Sequence, residues 1–534
     1  MAASRITKRL SAVITSVLIL LMAGICFILL SCSPRQSAVQ MEAEGALLIP
    51  SQEKETRLRA YCPEIALTLT WQEGERGSAA VVVENIAAES AEVKVTPAAG
   101  QQEASCTVEQ VSPTVLRLKV KGSGTQRLEL KPASADKGMP FQFAVVGDCQ
   151  GRIDVLSKII EEVNKSDADF LICVGDLVAS GSDEEYKAFQ EAMQKLNCPY
   201  YTIPGNHDVK GNGIDYYRKY LGPEYYSFVY RGSRFFLLNS SSMGMDAEQL
   251  AWLQEKLKEG EQPAYIFLHV PPVDPRGGDH AFLDSDQAQA FIKLVAAPTS
   301  PVKGIFTGHI HMFYQGQIEG VDFVISGGGG ASLYASADQG GYYHFALCRV
   351  ATDGLQVEPE KIEAPARSDE LVVNGKKGDV ILSQSELDKM AVLEGELAFE
   401  NQFGNFKGKG VYRAVPIRDL VEKVGGMEPG DTLMVYALDG YSQIFAYENV
   451  YPESCGWTER QGEIALAIEY NDTTVPEWND GYRIAFFPED GIYDNEDCSL
   501  TSAPGQGWHL YQSAGARWVR NVIRLEVVPC QDQD

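Results

Sequence analysis

The stretch Phe141-Gln-Phe-Ala-Val-Val-Gly-Asp148 starts the part of the chain that decides the fold. It is an apolar run that ends in a glycine and a carboxylate, and the run Phe170-Leu-Ile-Cys-Val174 ends in the same way at Gly175-Asp176. Between the two runs, apolar residues recur at the spacing of one helix face. This β-α-β order predicts parallel strands whose carboxyl ends meet at one edge of a sheet. We therefore expect an α/β domain that carries its functional side chains on that edge.

Three more polar clusters follow strand-like runs further along the chain. They are Gly205-Asn206-His207-Asp208 after Tyr200-Tyr-Thr-Ile203, His269 after Tyr265-Ile-Phe-Leu268, and Gly308-His309-Ile310-His311 after Gly304-Ile-Phe306. Carboxylate, amide and imidazole groups are donors that hold divalent transition metals. Four of the seven histidines of the chain fall within these clusters, so we interpret the set as a metal site rather than as unrelated surface or capping residues.

The order of the clusters resembles that of the calcineurin-like metallophosphoesterases, over residues 139–365. The resemblance implies two divalent metal ions, whose identity among Mn, Fe, Zn and Mg stays open. Carried over by position, it assigns the first ion to Asp148, Gln150, Asp176 and His311, and the second to Asp176, Asn206, His269 and His309. Asp176 would bridge the pair, because a carboxylate has two oxygens and can bind two cations about 3.5–4 Å apart.

One of these positions departs from the family. Where this chain has Gln150, the family usually has a histidine. The carbonyl oxygen of a glutamine can still bind a metal, but it is a neutral and harder donor than imidazole. We therefore expect the first ion to bind less firmly than the second, with zinc disfavoured relative to manganese, magnesium or iron.

The activity that the resemblance implies is hydrolysis of a phosphate mono- or diester by attack of a metal-bridging hydroxide. His207, positioned by Asp208, would stabilise the transition state or protonate the leaving oxygen. Arg152, Arg276 and His280 are predicted substrate contacts, because they lie close in sequence to the motifs. The run Gly327-Gly-Gly-Gly330 lacks the Lys-Ser/Thr of a nucleotide-binding loop, and we expect a turn packed near the site.

The first 32 residues predict where the protein works. Basic residues precede an almost continuous apolar run over residues 13–30, which closes with Leu29-Leu-Ser-Cys32. This start resembles a bacterial lipoprotein signal, which implies cleavage before Cys32 and lipidation of that cysteine. The alternative is an uncleaved transmembrane helix, since the run is just long enough to span a bilayer. Either interpretation places the protein in the bacterial cell envelope, membrane-anchored and facing outside the cytoplasm.

The net charge limits which partners the protein can bind, and the cysteine content limits which disulfides it can form. The formal net charge of -27 disfavours nucleic acid and anionic lipid surfaces as partners, so a phosphate-ester substrate must be attracted by the metals. Of eleven cysteines, nine remain after Cys26 is removed with the signal and Cys32 is lipidated. Disulfides between Cys62 and Cys106 and between Cys455 and Cys498 are consistent with an oxidising compartment.

Two further domains flank the central one. After a linker over residues 33–57, short alternating strands over residues 58–138 predict a β-sandwich, similar to the one that precedes the catalytic domain of purple acid phosphatases. Residues 366–534 resemble, through degenerate motifs, the molybdopterin-binding domain of sulfite-oxidase-type enzymes. That family has a molybdenum-binding cysteine shortly before the stretch Val415-Pro-Ile-Arg-Asp-Leu420, but residues 391–410 contain none. We therefore expect no molybdopterin and a fold retained for packing or recognition.

The expected fold is multidomain: a central α/β metallophosphoesterase sandwich over residues 139–365, an N-terminal β-sandwich and a C-terminal α+β domain like the molybdopterin domain. The leading function is a metal-dependent phosphoesterase anchored in the envelope. Two alternatives stay open. One is a non-catalytic envelope binding protein with a vestigial metal site, supported by Gln150, and the other is a molybdopterin-dependent oxidoreductase.

Overall fold

The computed structural model describes residues 39–49, 55–72, 74–132, 138–352, 354–363, 370–402, 404–438, 441–475, 478 and 480–530. Within them the chain forms two compact units. The first comprises the described residues up to Cys149 together with Val155–Glu363, and the second comprises Gln150–Asp154 together with the described residues from 370 onward. No helix in these ranges combines the length and the apolar character needed to cross a membrane. The predicted lipoprotein signal and Cys32 lie outside the described residues.

The N-terminal part of the first unit consists of two β-sheets. One has the strand order β1-β4-β9-β6 and the other the order β2-β3-β5-β8-β7. Alternate residues of the strands, such as Leu116, Leu118 and Val120, are buried in one cluster that both sheets share. The strands are β1 (Gln40–Glu44), β2 (Ala46–Ile49), β3 (Thr56–Ala60), β4 (Ile65–Thr70), β5 (Arg76–Glu84), β6 (Ala91–Pro97), β7 (Ser105–Ser112), β8 (Val115–Ser123) and β9 (Thr125–Pro132), with a 3₁₀ turn at Ala88–Ser90.

The predicted linker over residues 33–57 is wrong where the structure describes it. β1 pairs with β4, and β2 pairs with β3, so each sheet takes one strand from this segment. The reason is that Ala46 is buried in the shared cluster and Met41 and Ala43 pack against it. This apolar alternation is too short and too interrupted by glutamates to be recognised as a pair of strands.

The rest of the first unit is the α/β domain, built from two facing sheets. The five-stranded sheet has the order β12-β11-β10-β19-β20, and the six-stranded sheet the order β13-β14-β15-β16-β18-β17. β10 and β11, and β11 and β12, pair in parallel, which confirms the β-α-β prediction. The strands are β10 (Phe141–Val146), β11 (Phe170–Val174), β12 (Tyr200–Ile203), β13 (Tyr226–Tyr230), β14 (Ser233–Leu237), β15 (Ala264–Phe267), β16 (Val302–Thr307), β17 (Phe313–Ile318), β18 (Val321–Ser326), β19 (His344–Ala351) and β20 (Gly354–Lys361).

An aromatic core joins the two sheets. The ring of Phe143 lies 5.5 Å from that of Phe235 and 5.9 Å from that of Phe267, measured between centroids, and these two residues belong to the opposite sheet. On β15, residues alternate between this core and a second cluster, where Ile266 meets helical side chains such as Phe291. The helices are α1 (Ile153–Val163), α2 (Asp183–Met193), α3 (Gly213–Tyr220), α4 (Ala247–Leu257) and α5 (Ser285–Val295), with a 3₁₀ turn at Ala337–Gln339.

The second unit contains two more sheets around one large hydrophobic cluster. Their orders are β22-β21-β31-β25-β26 and β28-β27-β24-β23-β30, and β29 pairs with β27. The strands are β21 (Glu370–Gly375), β22 (Gly378–Ser383), β23 (Leu393–Glu400), β24 (Phe406–Pro416), β25 (Thr432–Ala437), β26 (Ser442–Ala446), β27 (Glu463–Tyr470), β28 (Thr473–Thr474), β29 (Arg483–Phe487), β30 (Ile492–Tyr493) and β31 (Val522–Val528). The helices are α6 (Gln384–Met390), α7 (Ile417–Glu422), α8 (Tyr447–Val450), α9 (Thr458–Gln461) and α10 (Asn495–Leu500), with 3₁₀ turns at Pro452–Ser454, Gly507–His509 and Ala514–Arg517.

The predicted disulfides are wrong, because all four cysteines concerned are free thiols. Cys62 packs against the aromatic core of the α/β domain, whereas Cys106 packs against the N-terminal cluster. In the second unit Cys498 is buried and Cys455 is exposed. Two cysteines in the same predicted domain therefore need not lie close enough to form a disulfide.

Candidate metal centre

The polar clusters found in the sequence lie where strands of both α/β sheets end. Asp148 and Asp176 follow the parallel neighbours β10 and β11, and Asn206 follows β12 in the same sheet. His269 and His309 follow β15 and β16, which are parallel neighbours in the facing sheet. The two sheets therefore bring donors to the same place from opposite sides.

The side chains form two potential metal-binding groups that share one carboxylate. One group is Asp148, Asp176 and His311, and the other is Asp176, His269 and His309; within each group the ligand atoms lie within 4.8 Å of one another. The oxygen Oδ1 of Asn206 lies 3.1 Å from Nε2 of His269, so the amide joins the second group. The structure thus brings together the residues that the resemblance assigns to the two ions, apart from Gln150, and their role as ligands stays a prediction.

The backbone at these ligands is in an unusual conformation. Asp148, Asp176 and His309 have φ angles of 65°, 52° and 66°, a left-handed region that non-glycine residues rarely adopt. Such conformations cost about 1–3 kcal/mol each and persist where the surrounding structure imposes them. Glycine is required beside them: a Cβ on Gly205 would lie 2.2 Å from Oδ1 of Asp176.

The glycine run after β18 also packs against this site. The N–H of Gly329 donates to the carbonyl of Gly147 at 2.9 Å. A Cβ on Gly327 would lie 2.9 Å from Oδ2 of Asp148. The prediction of a turn packed near the site is confirmed.

Hydrogen bonds orient the histidines with one nitrogen toward the site. Nδ1 of His269 donates to the carbonyl of Val174 at 2.9 Å, and Nδ1 of His311 donates to that of Ser332 at 2.7 Å. Because a carbonyl can only accept, Nδ1 carries the hydrogen and Nε2 is left to bind a cation. Nε2 of His269 lies 3.2 Å from Oδ1 of Asp176, and Nε2 of His311 lies 3.4 Å from Oδ1 of Asp148.

The electrostatics of the site fit positive charge. Asp148 and Asp176 are 0% and 1% exposed, and two buried carboxylates this close require compensation by cations. Burial acts to raise the pKa of Asp176, but His269 and His207 outweigh it and hold that pKa below the usual value. Burial acts to lower the pKa of His269, yet the charge of Asp176 raises it to about 9. Burial and the charge of His269 lower the pKa of His309 to about 3.

His207 lies beside the shared carboxylate, but Asp208 does not position it as predicted. Nε2 of His207 is 4.0 Å from Oδ2 of Asp176, and its Nδ1 lies 2.7 Å from the carbonyl of Ala179. The carboxylate of Asp208 instead accepts N–H groups from Leu177 at 2.9 Å, from Val178 at 3.0 Å and from Gly205 at 2.8 Å. Asp208 therefore ties together the two turns that carry Asp176 and Asn206, which is a structural role.

The predicted substrate contacts fall into two classes. Arg152 is 4% exposed, and its Nε and Nη2 donate to Asp154 at 2.8 and 2.7 Å, so most of its surface is buried; its role as a substrate contact stays a prediction. The ring of His280 lies 5.7 Å from that of His309, which places it beside the metal-binding groups. Arg276 lies over the ring of Tyr334 at 5.7 Å and stays a predicted contact.

Tyr334 and Asp274 belong to the site and were not found in the sequence. The ring of Tyr334 stacks on that of His311, with centroids 4.1 Å apart. Asp274 holds Arg276, accepting from its Nε at 3.0 Å and its Nη2 at 2.8 Å. Neither residue directly follows an apolar run and a glycine, so the pattern that pointed to Asp148, Asp176 and His309 gave no signal for them.

Gln150 lies two residues after Asp148 in the sequence and has a φ angle of 42°. It is half-buried and lies in the segment that belongs to the second unit. Its role as a ligand stays a prediction.

Comparison with known proteins agrees with this geometry. A sequence profile described as calcineurin-like phosphoesterase matches residues 141–313. A probable cyclic nucleotide phosphodiesterase of Fibrobacter succinogenes is 30% identical over 177 residues, which cover 31% of this chain and 68% of that protein. The glycerophosphodiester phosphodiesterase GpdQ of Enterobacter lignolyticus is 29% identical over 174 residues, covering 30% of this chain and 62% of that protein.

Among solved structures, the purple acid phosphatase PPD1 from yellow lupin seeds is 14% identical and aligns over 64% of this chain and 74% of that one, with a TM-score of 0.37. The profile match falls on the domain that holds the two metal-binding groups. The chain therefore belongs to the calcineurin-like phosphoesterases, which are hydrolases that act on phosphoric ester bonds.

Proposed function

We propose that the protein hydrolyses a phosphodiester with two divalent metal ions held by Asp148, Asp176 and His311 on one side and by Asp176, Asn206, His269 and His309 on the other. The observation that carries the proposal is the position of Asp176 in both groups. A pair of cations there would supply activated water and would neutralise charge on the phosphoryl oxygens. Gln150 would complete the first group.

The side chains of the chain itself would orient the substrate. Nε2 of His207 is directed toward the shared carboxylate, so it can meet an oxygen of a phosphoryl group bound at the same place. The partly exposed ring of His280 lies beside His309, where it can contact a substituent of the ester. Arg276 is held by Asp274 through Nε and Nη2, and it can offer the N–H groups of Nη1 to an anionic group.

A diester is favoured over a monoester by the relatives. Two of them are named as phosphodiesterases, one for cyclic nucleotides and one for glycerophosphodiesters. A diester has a second ester substituent, which needs a surface beyond the metals. Tyr334, His280 and Arg276 form such a surface next to His309 and His311.

The test is metal analysis joined to hydrolysis assays. Protein purified without chelator is expected to hold close to two equivalents of metal and to cleave bis(4-nitrophenyl) phosphate faster than 4-nitrophenyl phosphate, with Mn, Fe, Zn and Mg compared. Asp176→Asn is expected to lose both metals and the activity, whereas His509→Asn, an exposed histidine outside the site, keeps them. A wild-type protein with substoichiometric metal and no turnover would favour the vestigial binding protein.

For the location, we propose that Cys32 is lipidated and that the protein is held on the outer face of a bacterial membrane. The support is the basic, apolar and Leu-Leu-Ser-Cys order of residues 5–32. Labelling of the expressed protein with a radioactive fatty acid tests this, and the label should vanish in Cys32→Ser. Label that persists in this variant contradicts the assignment.

For the flanking regions, we propose a β-sandwich before the catalytic domain and a molybdopterin-type fold without molybdenum after it. The support is the pair of sheets around one N-terminal cluster and the absence of a cysteine from residues 391–410. Extraction of denatured protein for pterin fluorescence tests the second point. A stoichiometric pterin signal would restore the oxidoreductase alternative.

A further inference from the structure

The side chain of Lys210 forms a polar triangle with His207. Nζ of Lys210 lies 2.9 Å from Nδ1 of His207 and 3.2 Å from the carbonyl oxygen of Ala179. Nδ1 lies 2.7 Å from the same carbonyl oxygen. The opposite ring nitrogen, Nε2, is the one that faces Asp176. A neutral imidazole carries a single N–H hydrogen, so the hydrogen-bond partner of Nδ1 determines whether Nε2 directs a hydrogen or a lone pair toward the site.

These contacts cannot all be hydrogen bonds at the same time. In His269 and His311 the carbonyl assigns the hydrogen to Nδ1, but at His207 the ammonium of Lys210 also contacts Nδ1 and competes with that assignment. A carbonyl oxygen only accepts and a lysine ammonium only donates, whereas Nδ1 of a neutral imidazole does one or the other. If Nδ1 donates to Ala179, its hydrogen lies beside the ammonium hydrogens of Lys210, which is repulsive. If Lys210 donates, its ammonium hydrogens serve both Nδ1 and the carbonyl, and its positive charge, which is close to both acceptors, offsets their mutual repulsion.

We propose that Lys210 is a positioning residue that keeps the hydrogen of neutral His207 on Nε2. The ring then donates a hydrogen bond to the leaving oxygen of the ester as negative charge develops there. In the other tautomer, Nε2 carries a lone pair, which repels the same oxygen. This inference rests on the proposed phosphodiesterase function and adds the residue that gives His207 its direction.

The direct test is the tautomer of His207 in the full chain. Histidine labelled with ¹⁵N, assigned by comparison with His207→Gln, distinguishes a protonated Nδ1 from a protonated Nε2. We expect hydrogen on Nε2 in the wild type and on Nδ1 in Lys210→Met, where Ala179 is the only remaining partner of the triangle. Hydrogen on Nδ1 in the wild type overturns the proposal, whether or not the protein is active.

Kinetics give a second, independent test. For aryl phosphodiesters with leaving phenols of high pKa, Lys210→Met is expected to lower kcat by about 10- to 100-fold, since a positioned donor contributes about 10²–10⁴-fold. For the 4-nitrophenyl ester, which needs little help in leaving, the loss should be small. KM should change little, and Lys210→Arg should restore much of the rate because a guanidinium also only donates.

Lys219→Met is the matched control. It removes the same charge from an exposed lysine that pairs with Asp183 on a neighbouring helix, and we expect wild-type kcat. An equal loss for good and poor leaving groups in Lys210→Met shows that the lysine does not act through the leaving oxygen and overturns the proposal. A wild type without turnover for any metal instead refutes the proposed function, and the tautomer measurement still decides the role of Lys210.

Discussion

Replacing Asp208 separates a structural from a chemical role for this carboxylate. In Asp208→Asn, one oxygen can keep the N–H groups of Leu177 and Val178, but the new NH₂ group then faces the N–H of Gly205. A hydrogen bond to a charged acceptor contributes about 1.5–3 kcal/mol, and an unsatisfied buried N–H costs about 1–3 kcal/mol. Asp208 is completely buried, so water cannot replace the lost acceptor.

We expect Asp208→Asn to lower the free energy of unfolding by about 2–4 kcal/mol, because relief of a buried charge offsets part of the loss. Burial and the charge of Asp176 raise the pKa of Asp208, so keeping this carboxylate ionised costs free energy that the uncharged amide does not cost. Asp208→Ala loses all three acceptors and is expected to cost at least about twice as much. Asp215→Asn, an exposed carboxylate on α3, should stay within about 0.5 kcal/mol of the wild type.

The assay is urea unfolding followed by circular dichroism, together with kcat for the same variants. The transition of the metal-binding unit is the one whose midpoint rises when metal is added. An Asp208→Asn protein that unfolds at the wild-type midpoint but has a kcat reduced tenfold or more would refute the structural role. It would show that Asp208 acts on His207 after all.

Three further predictions concern the packing around the site. Gly205→Ala should cost about 1–3 kcal/mol or more and weaken metal binding, measured by isothermal titration, because the added Cβ would lie 2.2 Å from Oδ1 of Asp176. Tyr334→Leu should weaken metal binding by about 10- to 100-fold by removing the ring stacked on His311, while Tyr334→Phe retains it; equal affinity in both variants contradicts this. Burial lowers the pKa of His344 from 6.5 to about 4. As the pH falls, the unfolded chain therefore protonates this histidine before the folded chain does. The free energy of unfolding is expected to fall by up to about 3 kcal/mol between about pH 6.5 and pH 4. His344→Gln should flatten that part of the pH profile of unfolding, and an unchanged profile would exclude His344 as its source.

The positions of the candidate metal ligands could be predicted from the sequence because each of these polar side chains lies where a strand-like run ends. Asp148, Asp176 and His309 each follow an apolar run and a glycine, and parallel strands deliver such residues to one edge. The same signal gave the parallel pairing of β10, β11 and β12. This signal depends only on the succession of neighbouring residues, an apolar run followed by a glycine and a polar side chain, which can be read directly from the sequence.

What could not be predicted depends on groups that are distant in sequence. Two of the three N–H groups that Asp208 accepts belong to Leu177 and Val178, which lie 31 and 30 residues earlier in the sequence. The contact of Tyr334 with His311 depends on the path of the loop after β18. The strands at residues 40–49 were missed because their register comes from pairing with β4 and β3, whereas their own apolar alternation is weak.

Under the proposed lipid anchor, the early start of β1 limits the distance between the catalytic domain and the membrane. With a lipid on Cys32, only residues 33–39 separate the anchor from the first strand at Gln40. Seven fully extended residues reach about 25 Å, whereas a free segment up to residue 57 would reach more than three times as far. If Cys32 is lipidated as we propose, a connection this short would keep the catalytic domain close to the bilayer surface. It would then favour esters that are released or displayed there over those that diffuse in the bulk.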